Sequence, residues 1–132
     1  MPYFIAYIAA IIVFFIIDFI WIGSIASGFY NDQIGHLRSR RVNVPAAIIF
    51  YLMYIAGIVI FAVKPALSAQ SLMPALIYGS LFGFFCYATY DFTNYATLKD
   101  WPLKMVIVDI IWGVFLTGSV ATAAAWVALK FA

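Results

Sequence analysis

The chain has 132 residues, 67% of them hydrophobic and 9% charged, with a formal net charge of +2. A soluble domain of that length has too little interior for so much apolar surface, so lipid must solvate part of it, as the mean hydropathy of +1.09 agrees. So small a charge gives no footing for nucleic acid, and the single cysteine, Cys86, excludes an intrachain disulfide and reads as a small packed hydrophobe.

A spanning helix needs roughly 20 apolar residues, which leaves room for four spans, short loops and no soluble domain. The expected fold is an all-α membrane protein, a four-helix transmembrane bundle forming one domain over residues 1–132. The first span covers about 3–29. It lacks the basic start and cleavage site of a signal peptide and reads as a retained helix. Asp18 is its only charge, and Tyr7, Ile11, Phe14, Trp21 and Ile25 share the Asp18 face. Trp21 serves there as an interfacial anchor or as an indole donor near Asp18.

A polar connection follows at 31–43, with Asp32, His36, Arg38, Arg40 and Arg41. Its arginines suit phosphate headgroups and set topology. His36 alone carries little signal and is grouped with them. Asn43-Val44-Pro45 opens the second span, about 45–63, as an N-cap followed by a first-turn proline. That span has no charge, ends at Lys64-Pro65, and is expected to serve packing.

The third span, about 72–96, begins with Ser71 as cap and Pro74 in its first turn. Gly79 and Gly83 permit close helix approach, and the same face continues with Tyr87, Asp91 and Asn94. Asp100-Trp101-Pro102 repeats the cap-then-proline pattern before the fourth span, about 101–129. There Asp109, Gly113, Thr117, Ala121 and Ala125 form one stripe. Acids on the small-residue stripes of both helices predict that these two spans pack closely, with Asp91 and Asp109 near the contact.

Five of the seven basic residues (Arg38, Arg40, Arg41, Lys99 and Lys104) fall in or beside the connections after spans one and three. The positive-inside rule places those connections in the cytoplasm and both termini outside. At 1.5 Å per residue, Asp91, Asp109 and Asp18 then lie about 8, 12 and 16 Å from the cytoplasmic helix ends. Three helices thus offer acids to one layer, with Trp21, Tyr87, Tyr90, Asn94 and Trp112 nearby. Three ionised carboxylates there would repel, so at least one is protonated or a cation or donor compensates. Lys99 and Lys104 can snorkel toward the layer as headgroup contacts, and Tyr, Trp and Asn can donate. The acids are structural, or bind a ligand, or carry protons. A metal fits poorly, because oxygen-only sites need more ligands than are evident. No cofactor is implied. Asp18-x-x-Trp21 and Asp109-x-x-Trp112 also form a short internal echo, weak support for a duplication.

The run Asp18-x-x-Trp21-Ile22-Gly23, with Phe29-Tyr30, Ile34-Gly35-His36-Leu37, Tyr90-Asp91-x-Thr93-Asn94-x-Ala96-Thr97-Leu98, Trp101-Pro102-Leu103 and Asp109-x-x-Trp112-Gly113, resembles a family of small bacterial integral membrane proteins. That family is catalogued as a domain of unknown function. The resemblance covers nearly the whole chain and implies about four helices in a bacterial inner membrane. It also implies a setting beside fatty-acid-modifying enzymes, which points toward lipid, and it supplies no activity. No HExxH, histidine box or GxSxG is present, so enzyme status stays open. Three functions fit: a pocket that binds or helps modify a lipid or other amphiphile, an accessory or assembly subunit without a catalytic site, and a small proton-coupled transporter acting as an oligomer. Expected partners are membrane lipids, with a second copy or another membrane protein open.

Overall fold

The computed structural model describes residues 1–38 and 43–132, and the side chains of all of these except Ile25. The expected place of Ile25 beside Asp18 therefore lies outside the described residues. All regular structure among them is helical. Helix α1 (Pro2–Ile20) passes through a π-helical turn, Trp21–Ala26, into α2 (Ser27–Ile34) and a 3-10 turn. Helix α3 (Val44–Ile58) continues through a second π turn, Val59–Val63, into α4 (Lys64–Ala69). Helices α5 (Met73–Thr97) and α6 (Leu103–Phe131) complete the chain.

The helix starts follow local chemistry. Asn43 caps α3 through its side-chain oxygen, which accepts from Ala46 N–H at 3.2 Å, and Pro45 lies in the first turn. Ser71 Oγ accepts from Met73 N–H at 3.3 Å, although Leu72 holds the cap position of α5. The expected Asp100 cap does not form. Asp100 turns the chain in the left-handed region, φ 61°, and Pro102 precedes the first turn of α6. Nor does Lys64-Pro65 end the second helical run, which continues to Ala69 and stops at left-handed Gln70. A proline lacks its N–H and crowds the preceding turn. The π turn just before it has already shifted the hydrogen-bond ladder, so the ring fits the first turn of a restarted helix.

Three helical stretches are long and apolar enough to cross a membrane: Pro2–Ser24, Val44–Ala69 and Leu103–Phe131. Helix α5 matches them in length, but Gly, Ser, Tyr and Thr dilute its apolar residues. Its exposed threonines bond their own helix: Thr89 Oγ1 donates to Phe85 O at 2.6 Å, and Thr97 Oγ1 to Thr93 O at 2.7 Å.

Both chain ends lie at one end of the bundle, where Pro2 and Tyr3 share a hollow with Gln70 and Ala132. The main core joins Ala6, Ala10 and Phe14 of α1 to Ile55 and Ile58 of α3 and to Leu116, Val120 and Ala124 of α6. Large apolar residues face outward around it, such as Ile12 and Ile16, Ile49 and Met53, Leu81 and Phe85, Ile111 and Phe115. The interior is apolar as in a soluble protein, but so is the exterior, and lipid is its natural solvent.

Helices α5 and α6 form the most extensive pairing, as the two small-residue stripes predict. A Cβ on Gly79 would stand 2.7 Å from Ala121 Cβ, and one on Gly83 would overlap the Gly113 carbonyl oxygen. Backbones this close gain dispersion where lipid tails offer no hydrophobic drive between helices. Across the same layer, the hydroxyls of Tyr54 and Thr117 hydrogen-bond at 2.7 Å and tie α3 to α6.

Candidate functional site

Away from the chain ends, α1, α2, α3, α5 and α6 line a partly open cavity of about 490 Å³. Its acidic groups are Asp18 from α1 and Asp109 from α6, 7% and 6% exposed. Tyr30, Tyr51, Tyr54, Tyr87, Tyr90 and Trp112 supply aromatic lining, and Ile22, Ile34, Phe50 and Met105 make it apolar. Arg38, exposed past α2, is the one basic residue among the described lining. Its Nη1 donates to Asn31 Oδ1 at 3.0 Å.

The two Asp-x-x-Trp segments meet face to face at this cavity. The Trp21 and Trp112 rings stack with centroids 4.2 Å apart and planes 8° from parallel. Trp21 Nε1 donates to the Tyr30 hydroxyl at 2.8 Å, which donates to Asp109 Oδ1 at 3.0 Å. Asp18 has the Trp112 indole and the Asp109 carboxyl as polar neighbours. Asp109 is thus linked through Tyr30 to the tryptophan of the other segment, and Asp18 has the other segment's tryptophan beside it. The π turn beginning at Trp21 starts where that ring must stack, and α2 then brings Tyr30 back over α6. There Phe29, Tyr30 and Ile34 pack on a small second core of Trp101, Met105 and Val106.

Asp91 sits behind this layer. It is fully buried, and neither carboxyl oxygen has a hydrogen-bond partner. Its polar neighbours are Asp109 and the Trp101 indole, whose Nε1 is also buried and unpartnered. Burial without a partner is costly, so this acid is either held for a purpose or a standing cost to stability.

Of the residues singled out in the sequence, Asp18, Tyr87, Tyr90, Asp109 and Trp112 line the cavity. Trp21 and Asp91 support it from behind. Asn94 is half-buried one turn past Tyr90, outside the lining. Among the residues grouped as headgroup contacts, Arg38 lines the cavity. His36 and Lys99 are exposed, and Lys104 Nζ lies over the Phe29 ring at 5.9 Å. Arg40 and Arg41 lie outside the described residues. No group of His, Cys, Asp or Glu able to hold a metal occurs among the described residues.

The second helical run corrects its expected role, because Phe50, Tyr51 and Tyr54 form one wall of the cavity. Tyr51 and Tyr54, three apart and the only polar side chains of that helix, were the available signal. Tyr30, the residue that joins α2 to Asp109, stands in a motif but lies beyond the apolar run that drew attention to Asp18. Tyr30→Phe should destabilise the protein by about 1–3 kcal/mol, because the Trp21 indole and Asp109 would each lose a partner. Thermal unfolding in detergent would measure this, with exposed Tyr95→Phe as the unaffected control.

Set beside known proteins, residues 3–126 match a family model described as a predicted membrane protein, DUF2177. No curated protein and no solved structure matches.

Proposed function

Because the chain belongs to the DUF2177 family of predicted membrane proteins, we propose that it holds an amphiphile in a pocket within the bilayer. In this reading α5 is a fourth span, both termini face outward, and the arginine-rich connection meets the cytoplasmic headgroups of a bacterial inner membrane. The outward apolar residues of α5, among them Leu81 and Phe85, support its exposure to lipid. The observation that carries the reading is the cavity of about 490 Å³ itself, apolar and aromatic along its walls with carboxyls gathered at one place. That is the makeup of a small-molecule site: a large greasy surface for affinity and a few polar groups for orientation. Binding alone and binding in aid of a modifying enzyme are both served by it.

The test is retention of twelve-carbon amphiphiles with neutral, anionic and cationic heads by the detergent-purified protein, read by native mass spectrometry. At least one should be retained by the wild type, and Cys86→Trp, which drives an indole into the cavity, should lower its occupancy at least fivefold. If none is retained, or the variant holds it equally well, the pocket is excluded. The polar layer would then serve helix register in an accessory subunit.

A further inference from the structure

We infer that the polar group this pocket takes is a cation, an amine or quaternary ammonium ending an apolar chain, seated between Asp18 and Asp109; the inference rests on the amphiphile reading above. Three observations lead there. First, the two carboxyls are each more than nine-tenths buried, and both line the cavity. No salt bridge to either forms among the described residues. Asp109 has one oxygen engaged by Tyr30. Asp18 accepts no hydrogen bond of good geometry there, with the Trp112 indole beside it. A group placed between them therefore finds two acceptors already desolvated.

Second, the aromatic side chains of Tyr30, Tyr51, Tyr87 and Trp112 line the cavity around these carboxyls. Aromatic faces attract organic cations, and most strongly where water is excluded. Trp112 is held for this by its stack on Trp21, and Tyr30 by its two hydrogen bonds. Third, the sign of the lining disfavours the opposite charge. An anionic head at the same depth would face two acids, and its one described basic partner, Arg38, is exposed and already engaged with Asn31. A neutral head would leave both buried carboxyls without a counter-charge.

The probes are dodecyltrimethylammonium, dodecanoate and monododecanoylglycerol, which share a tail length and differ in charge, offered at equal concentration in a neutral detergent. Native mass spectrometry of the wild type should show the ammonium retained at least tenfold over dodecanoate and over the glyceride. Asp18→Asn and Asp109→Asn should each erase that preference, while Ile111→Ala on the exposed face of α6 leaves it intact. Preference for dodecanoate, lost in Arg38→Ala, would overturn the cation and leave the amphiphile pocket standing. So would preference for the glyceride, or an ammonium signal equal in wild type and both Asn variants beside a retained neutral probe. If no probe is retained, the pocket fails together with the inference. Should the Asn variants not fold, the comparison of the three probes on the wild type decides by itself.

Discussion

Gly83→Ala should undo the joint between α5 and α6, lowering stability by about 3 kcal/mol or more. The added methyl would overlap the Gly113 carbonyl oxygen and stand 2.7 Å from Thr117 Cβ, so the obstacle is backbone that cannot step aside. Separating the helices would also strain the Tyr54–Thr117 hydrogen bond and shift Asp109 relative to Asp91. Gly113→Ala meets the Tyr87 ring at its root, overlapping Cγ and both Cδ atoms, so the whole side chain must move into the cavity it already lines. Its cost should be comparable, about 1–3 kcal/mol, and should come with reduced amphiphile occupancy. Gly23→Ala, with nothing within 4 Å of the new carbon, is the control and should fall within about 0.5 kcal/mol of the wild type. Reversible unfolding in mixed micelles measures all three. Equal effects of Gly83→Ala and Gly23→Ala would disprove the close joint.

Asp91→Asn should act in the other direction and raise stability by about 1–3 kcal/mol. The native carboxyl is fully buried, has no partner for either oxygen, and faces another acid, Asp109. An amide of the same shape supplies an N–H₂ toward Asp109 and keeps an oxygen for the orphaned Trp101 indole, so a donor faces Asp109 with no charge left to bury beside it. The same unfolding experiment reads the sign. A loss of more than about 1 kcal/mol would show that the carboxyl makes a bond the static geometry does not reveal. Higher stability combined with lost amphiphile retention would identify Asp91 as a residue held at a cost to the fold for the sake of the pocket.

The readable part of this molecule was written in spacing. Gly79 and Gly83 at four residues, continued by Asp91, and Gly113, Thr117 and Ala121 behind Asp109, identify two faces that must be inside, since a charge or a bare backbone stripe has no place in lipid. The echo of Asp18-Trp21 in Asp109-Trp112 was visible too. That the two tryptophans stack on each other was not, because a stacking distance depends on where α1 and α6 cross. The course of the chain at Pro65 was misread for a similar reason: whether a proline stops a helix depends on whether the turn before it can rearrange.

Residue order and composition alone thus settled that the chain is helical, that lipid bathes much of it, and which faces of the acid-bearing helices turn inward, because periodicity and solvation cost are local properties. Tertiary structure alone decided that Tyr30 reaches Asp109, that Tyr51 and Tyr54 are cavity wall rather than filler, and that Asp91 lies behind the cavity while Asp18 and Asp109 line it. Those outcomes turn on the relative placement of helices far apart in sequence, and an aromatic or acidic side chain carries no local sign of which neighbour it will meet.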